Sequence, residues 1–407
     1  MVNATLKRSL SLPFLTFYGL GTILGAGIYV LVGEVAGRAG MFAPISFFLA
    51  AVIAAFTAVS YAELSARIPK SAGEAIYAQK AFNRKNLSLI LGLLVVFTGV
   101  MSSATLVNGF SGYFQIFFQI PSWLIMAATI FLLGLLACWG IKESAGAAMV
   151  LTIIEIAGLL IIIFVASGSF LTLPEKLPEL IPTFDGVSWM GIFLGSFLAF
   201  FAFIGFEDMV NVAEEVKNPR RNMPRGIFLA LIAATTLYIL VALVAVLSLP
   251  TSELAGNSTP LASIYEKSTG KSPILISLIS LFAIVNGILV QMIMGSRILY
   301  GLSKNGWLHE SLSKVNPKTR TPINATVVVV IIVMIMALWL PLITLAQIAS
   351  FVILTVYALV NLSLVRIKMK TPKPKGVRTY SMWIPVSGFL ICTGVVLFKT
   401  VITFGWV

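Results

Sequence analysis

The stretch GTILGAGIYV, Gly21 to Val30, decides how the first apolar segment of this chain folds. It lies in the middle of an apolar run of membrane-spanning length, and three of its first seven residues are glycine. Each glycine costs about 1 kcal/mol relative to alanine in a helix interior. Because a weakened helix survives in hydrocarbon only where it lines a cavity, this stretch predicts a broken helix beside a site. The alternative is that its small residues allow close helix packing.

The composition of the whole chain places that run in a membrane. Of its 407 residues, 58% are hydrophobic and 11% are charged, whereas a soluble domain is about 45–50% apolar and about 25% charged. So few charges cannot cover a surface that faces water. The sequence therefore predicts an all-α polytopic membrane protein.

Eleven apolar runs are long enough to be candidate membrane-spanning helices, and we number them spans 1 to 11. They cover about residues 12–33, 41–66, 86–118, 122–141, 147–168, 188–213, 226–249, 272–302, 323–340, 343–365 and 383–405. The longest polar connections lie near 169–187, 250–271 and 304–322. We expect a single transmembrane domain over residues 1–407.

The basic residues indicate the orientation of these spans. Most of the 28 lysine and arginine residues fall in connections that share one side of the membrane with the N-terminus. The positive-inside rule then predicts a plasma-membrane protein with a cytoplasmic N-terminus and an extracellular C-terminus. The net charge of +13 is assigned to this topology and to contact with anionic membrane lipid. Nucleic acid is not expected as a partner.

A second interrupted segment lies in span 6, which ends in FFAFIGFEDMVNVAEEVKNPRRNMP, Phe200 to Pro224. Gly205 lies within the run and is followed by Glu207 and Asp208. Acidic residues inside a span are costly and normally mark a pathway or a site, although these two could instead cap a helix that ends early. We expect breaks near Gly25–Gly27 in span 1 and near Ile204–Phe206 in span 6.

The two breaks hold corresponding positions in two five-helix halves. These halves cover about residues 12–168 and 188–366, and 383–405 is an extra helix. Paired interruptions of this kind are typical of transporters built from inverted repeats, whose site lies at the membrane midplane.

Four stretches of the chain resemble the amino acid–polyamine–organocation (APC) superfamily, particularly its amino acid permease and cationic-amino-acid-transporter-like branch. They are GTILGAGIYV, ELSARIPKSAGEAIY (Glu63 to Tyr77), the span 6 stretch quoted above, and SRILYGLSKNGWL (Ser296 to Leu308). Together with the span count, they extend the resemblance over spans 1 to 10. Many members have twelve or more helices, so a chain of eleven departs from them.

The resemblance implies that substrate binds at both breaks. The backbone of Gly25, Ala26 and Gly27 would bind the α-carboxylate, since a helix that restarts near Ile28 points its free N–H groups at the gap. Carbonyl groups around Phe203, Ile204 and Gly205 would receive the α-ammonium, and an aromatic residue near Phe203 would act as a gate. The remaining candidate pocket residues are Ile23, Gln291 on span 8, and Thr98 and Ser102 on span 3.

Span 5 departs from the pattern of those relatives. Several carry a lysine in a T-x-x-K pattern near a coupling-cation site, whereas here Thr152 is followed by Glu155. An ionisable residue within a span is functional by default, although Glu155 could also lie hydrated near the interface. We expect Glu155 to couple transport to a proton, or in second place to Na⁺, with Asn286 on span 8 as its hydrogen-bond partner. Glu207 and Asp208 are further coupling or gating candidates.

The expected function is secondary active transport of amino acids by alternating access, as proton-coupled symport or exchange. The alternatives are Na⁺-coupled transport of amino acids or amines, a metal-ion transporter of the same fold, and a proton-translocating subunit of a membrane complex. The chain has no phosphate-binding G-x-x-x-x-G-K-[ST] motif, and its one histidine, His309, is assigned to a solvated loop. We therefore expect no enzymatic activity, no cofactor and no bound metal.

Overall fold

The computed structural model describes residues 8–24, 27–70, 73–139 and 145–404, with backbone only for 145–148. In these residues the regular structure is helical, apart from one isolated bridge between Leu10 and Val216. In order, the helices of spans 1 to 5 are Leu12–Leu24 with Gly27–Ala39, Ala43–Arg67, Lys85–Gln115, Ser122–Trp139 and Ala145–Val165. Span 6 comprises Gly186–Ala199, Phe200–Phe203 and Phe206–Glu215, and spans 7 to 11 are Pro219–Ser248, Ile274–Lys304, Ile323–Trp339, Leu342–Lys370 and Trp383–Thr403. The chain is an all-α polytopic membrane protein.

The number of membrane crossings depends on how the broken helices are joined. Eight helices of the described residues are long and apolar enough to cross, and the bent pair Met149–Val165 and Ser167–Leu180 would make a ninth. One of the eight, Gly27–Arg67, runs through the second half of span 1 and all of span 2, while Leu12–Leu24 and Ile323–Trp339 are apolar but shorter. The count of eleven, the single domain and the two repeats therefore stay predictions, and the predicted ends at 141 and 405 lie outside the described residues.

The connections predicted as polar loops near 169–187 and 250–271 contain short helices, Leu173–Leu180 and Pro260–Thr269. Both carry proline in the first turn, where its fixed φ favours a helix start. At ten residues or fewer, such helices are too short for apolar periodicity to reveal them. A further helix, Gly73–Phe82, lies between spans 2 and 3.

Span 3 lies against spans 8 and 10, while span 7 packs on span 2 and on the first half of span 1. Span 11 is peripheral, and its buried residues are Pro385, Gly388 and Cys392. Where it packs on span 2, the Cys392 sulfur lies 3.6 Å from the Thr57 hydroxyl, which accepts a hydrogen bond from Asn361 of span 10 at 2.9 Å. Buried residues from both broken spans belong to one hydrophobic core.

Several contacts define one end of the bundle. The Leu10 N–H donates to the Glu215 carbonyl at 3.0 Å, and the Lys217 N–H donates to the Leu10 carbonyl at 2.8 Å, so the chain before span 1 is tied to the chain after span 6. Connections after spans 2 and 10 meet where Arg67 donates to Thr371. We call the end that carries these connections, and the one after span 8, the basic end.

Candidate functional site

The breaks in spans 1 and 6 lie against each other. Span 1 stops at Leu24 and resumes at Gly27, while Gly25 and Ala26 lie outside the described residues. A Cβ atom on Gly27 would lie 2.6 Å from the Cα of Ala202, so only glycine allows this approach. The second helix of span 1 therefore starts in direct backbone contact with span 6.

Gly205 makes the corresponding contact from the other side. Its φ of +124° lies in a region that favours glycine, and a Cβ there would lie 2.2 Å from the carbonyl oxygen of Thr22. The 3-10 helix Phe200–Phe203 ends immediately before this turn. The break in span 6 thus falls within the predicted Ile204–Phe206 and touches the break in span 1.

Tyr238 of span 7 joins the two breaks, and sequence reasoning missed it. Its buried hydroxyl donates to the carbonyl oxygens of Ile23, at 2.7 Å, and Ala202, at 2.9 Å. These carbonyls belong to the broken ends of the two helices, where backbone acceptors lack intrahelical partners. A tyrosine inside an apolar span was the available signal, because a buried hydroxyl requires an acceptor.

A cavity of about 30 Å³ lies beside the breaks, with room for about two water molecules. Its lining includes the predicted residues Ile23, Gly27, Ser102, Ile204 and Gln291. The other lining residues are Thr22, Leu106, Phe201, Gly287 and Val290. The Ser102 hydroxyl is buried and has no hydrogen-bond partner among the described residues, so it is available to a ligand.

The remaining predicted pocket residues lie away from this lining. Thr98 donates to the Leu94 carbonyl of its own helix at 3.0 Å. Phe203 packs against the Tyr238 ring at a centroid distance of 5.2 Å, so Phe201 is the aromatic residue of span 6 on the cavity wall. Ile28 is buried within span 1, one residue beyond Gly27.

Glu155 lies between spans 5, 8 and 1. The Asn286 amide donates to its Oε1 at 3.0 Å, and the Tyr29 hydroxyl donates to its backbone carbonyl at 2.6 Å. Its side chain is only 1% exposed, and its Oε2 has no partner among the described residues. On the neighbouring turn, Thr152 donates to the Phe17 carbonyl of span 1 at 3.1 Å. This carboxyl group is therefore buried against the first broken helix.

Glu207 and Asp208 are both buried within span 6. Glu207 Oε2 accepts hydrogen bonds from the Tyr357 hydroxyl, at 2.6 Å, and from the Gly205 N–H, at 2.9 Å. Asp208 accepts from the Gln291 amide at 3.0 Å. Glu207 thus fixes the broken backbone, and Asp208 is joined through Gln291 to the wall of the cavity.

Comparison of the sequence with known proteins identifies the family of this chain. The family model described as amino acid permease matches residues 10–405. A branched-chain amino acid permease of Bacillus subtilis (strain 168) is 29% identical, over 99% of this chain and 89% of that protein.

Two further relatives have different names. A vacuolar cationic amino acid transporter 2 of Arabidopsis thaliana is 31% identical over 90% of this chain, which spans only 61% of that longer protein. A methylthioribose transporter of Bacillus subtilis is 30% identical over 92% of this chain and 84% of its own. These names are those of transporters and not of enzymes. The chain belongs to the amino acid permease family.

Proposed function

We propose that this protein is a secondary active amino acid transporter that works by alternating access. The observation that carries the proposal is the contact between the two broken helices at a cavity that contains an unpartnered hydroxyl, Ser102. Free N–H groups and the positive end of a helix dipole at the second half of span 1 suit a carboxylate. Carbonyl groups at the break in span 6 suit an ammonium group. A zwitterion matches both.

A cavity of about 30 Å³ must widen during alternating access to hold an amino acid, and its wall favours an aliphatic one. Leu106, Phe201, Ile204 and Val290 supply apolar surface, and no acidic side chain occurs among the described lining residues. A cationic side chain would lack a counter-charge there, and burying an unpaired charge is costly. The branched-chain amino acid permease among the relatives agrees with this choice.

A thermal-shift screen and uptake into proteoliposomes test the substrate. We expect leucine, isoleucine or valine to raise the unfolding temperature of the purified protein, because a ligand that binds only the folded state stabilises it. Arginine, methylthioribose and polyamines are the comparison compounds. Stabilisation by arginine or by methylthioribose alone would contradict the aliphatic assignment.

Two adjacent serines give a matched pair of variants for the site itself. Ser102 and Ser103 both have buried hydroxyls without a partner among the residues that the structure describes, but of the two Ser102 belongs to the cavity lining. Loss of one hydrogen bond costs about 1 kcal/mol, so Ser102→Ala should raise KM for leucine about fivefold. Ser103→Ala should leave KM unchanged. Equal effects of the two substitutions would place the substrate elsewhere.

Gly27→Leu tests the break more severely. The added side chain would collide with Ala202, so uptake should be lost while membrane insertion persists. Uptake that survives this change would show that the carboxylate binds at another place.

We propose proton coupling through Glu155, with Na⁺ as the second choice. The buried carboxyl group, whose Oε2 has no partner in the described part of the chain, supports a site that takes up a cation. In proteoliposomes with an imposed proton gradient, Glu155→Gln should lose accumulation of substrate while substrate exchange continues. Repeating the assay with a Na⁺ gradient separates the two ions. Full accumulation by the variant would remove Glu155 from coupling.

The proposed orientation places the basic end of the bundle in the cytoplasm and the C-terminus outside, in the plasma membrane. The positive-inside rule supports this orientation. The two proposed five-helix repeats would place the cavity near the midplane. Labelling of single cysteines introduced at Lys373 and at Lys267 from each side of intact cells tests the orientation.

A further inference from the structure

Three buried carboxyl groups from separate parts of the chain lie close enough to influence one another. They are Glu74, of the helix Gly73–Phe82, with Glu207 and Asp208 of span 6, and each is at most 4% exposed. None of the three forms an ion pair with a described lysine or arginine. Buried like charges without a counter-charge do not all ionise. Such a group of carboxyls therefore holds one or more protons.

At one side, this group reaches the substrate cavity. Asp208 accepts from Gln291, whose side chain lines the cavity. Glu207 accepts a hydrogen bond from the Tyr357 hydroxyl, and the Tyr357 ring packs against the Tyr61 ring at a centroid distance of 5.7 Å. The Tyr61 hydroxyl in turn donates to Glu74 Oε1 at 3.1 Å. A continuous set of polar and aromatic contacts thus runs from the cavity to Glu74.

At the other side, Glu74 reaches the basic end. It lines a second cavity of about 30 Å³, large enough for about two water molecules, together with Asn305 and Trp307 of the connection after span 8. Asn305 is exposed and Trp307 is half-buried. Water in this cavity would place Glu74 within one or two hydrogen bonds of bulk solvent.

A second buried polar group on the same helix interacts electrostatically with Glu74. Tyr77, one turn further along the same helix, is fully buried, and its hydroxyl has no partner among the described residues. The charge of Glu74 acts on this hydroxyl and adds to the burial that raises the pKa of Tyr77. A buried polar group without a partner costs roughly 1–3 kcal/mol, so a water molecule or a hydrated proton at this position would relieve the cost.

The cations near the helix Gly73–Phe82 contact other groups and do not neutralise the Glu74 carboxylate. Lys370 and Arg366 of span 10 contact its far end, at Ala81 and Phe82. Lys85, at the start of span 3, donates to the Gly306 carbonyl. Burial raises the pKa of Glu74 most, the carboxylate of Glu207 raises it further, and the hydroxyl of Tyr61 lowers it. The charges of Glu74 and Asp208 also act on one another.

We propose that Glu74 exchanges protons between water at the basic end and the pair Glu207 and Asp208 of span 6. This pair is linked to the substrate cavity through Gln291, so its protonation responds to changes in the cavity. Asp208 or Glu207 accepts a proton while the cavity is rearranged by substrate, and Glu74 exchanges it with water at the basic end. Burial, the largest influence, raises the pKa of Glu74 to about 7, so exchange proceeds near neutral pH. This role rests on the proposed amino acid transport but not on Glu155.

The test measures leucine exchange in right-side-out and inside-out membrane vesicles, with the pH changed in one compartment at a time. In the wild-type protein, the exchange rate should vary several-fold around pH 7 with the pH at the basic end. Glu74→Gln should remove this dependence, and Glu74→Asp should restore it. The matched control is Glu310→Gln, which alters an exposed carboxylate at the same end. A Glu74→Gln variant with wild-type pH dependence overturns the proposal.

Two further measurements keep the result interpretable. Tyr61→Phe removes the hydrogen bond that favours ionised Glu74, so the midpoint of the pH dependence should rise; an unchanged midpoint contradicts the proposal. Infrared titration of the purified protein needs no substrate. Its carboxyl band should titrate near pH 7 in the wild type and weaken in Glu74→Gln. If no amino acid is exchanged by the wild type, the proposed function fails while this titration still decides the role of Glu74.

Discussion

Glu63 and Glu74 are both buried carboxyl groups near the basic end of span 2, but cations surround only the first. Glu63 accepts from Arg67 at 2.6 Å and from Lys368 at 2.9 Å, and the Tyr380 N–H donates to it at 2.9 Å. Lys368 also donates to the Tyr380 carbonyl. These contacts tie span 2 to span 10 and to the connection before span 11. Glu63 therefore serves as an anchor that joins these parts of the chain.

Glu74 has no such neighbours in the described ranges of the chain. Its side chain accepts a hydrogen bond from the neutral hydroxyl of Tyr61, and the charge that acts on it is that of another carboxylate, Glu207. Burial alone therefore does not decide what a carboxyl group does in this bundle. The counter-charge decides it, because a compensated carboxylate is an anchor and an uncompensated one takes up a proton.

The largest loss of stability is expected when Glu63, the carboxylate that joins spans 2 and 10, is replaced. Glu63→Gln leaves Lys368 and Arg67 buried without their carboxylate, and breaking a buried ion pair costs about 3–5 kcal/mol. Thermal unfolding in detergent should show a large loss of stability. Glu310→Gln, at an exposed carboxylate, is the control. A loss no larger than that of the control would mean that the ion pairs do not hold spans 2 and 10 together.

The second effect is a pH dependence of stability due to Glu74. Its pKa is raised from 4.5 to about 7 by burial, so the folded protein binds a proton that the unfolded chain has released. Stability is then greatest below pH 4.5 and falls as the pH rises to about 7, by on the order of 3 kcal/mol. Glu74→Gln should flatten this part of the profile of unfolding temperature against pH. A profile with the wild-type slope would assign the effect to another group.

A third, smaller effect on stability concerns the Tyr357 hydroxyl, which donates to Glu207 in the way that a cation does to Glu63. Tyr357→Phe removes one of the two hydrogen bonds to Glu207 Oε2. Hydrogen bonds to charged groups contribute about 1.5–3 kcal/mol and those between neutral groups about 0.5–1.5, so the size of the loss reports whether Glu207 is ionised. Tyr265→Phe is the control, since no hydrogen bond of the Tyr265 hydroxyl occurs in the described residues. Denaturant titration of both variants measures the difference.

The smallest change in stability is expected for Asp208→Asn. An amide keeps the acceptor for Gln291 and removes an ionisable group that forms no ion pair with a described lysine or arginine, so stability should change by less than about 1 kcal/mol or rise. Transport should still respond, because the variant cannot bind and release a proton. Unfolding temperature and leucine exchange measured on one preparation separate the two effects. A loss of stability as large as that of Glu63→Gln would mean that Asp208, like Glu63, mainly holds the fold together.

Much of the fold could be predicted because membrane helices leave a strong local signal. Apolar runs predict the spans, and the glycines at 25, 27 and 205 predict where two of them break. Polar residues in apolar spans are few, so a contact between Glu155 and Asn286 could also be suggested, and the structure places their side chains 3.0 Å apart. The short connecting helices carried too few residues for such a signal.

The groups that complete the site could not be predicted in the same way. Tyr238 and Tyr357 look like ordinary core aromatics in sequence, and only the geometry shows which acceptors their hydroxyls reach. Glu74 belongs to one of the family-like stretches, but the carboxyls that influence it lie far away along the chain. Long-range electrostatics depends on the folded arrangement, which local patterns do not contain.

The close approach of Gly205 to Thr22 has an evolutionary consequence. Because a single methyl group at Gly205 would collide with the Thr22 carbonyl, substitutions there cannot accumulate one at a time. Variation at this point requires a simultaneous shift of both chain segments. Since the obstacle is backbone, no change of side chain at Thr22 relieves it. We therefore expect glycine to be retained at 205 whatever residue stands at 22, and chimaeras that combine span 1 of one permease with span 6 of another to fail more often than exchanges of span 11.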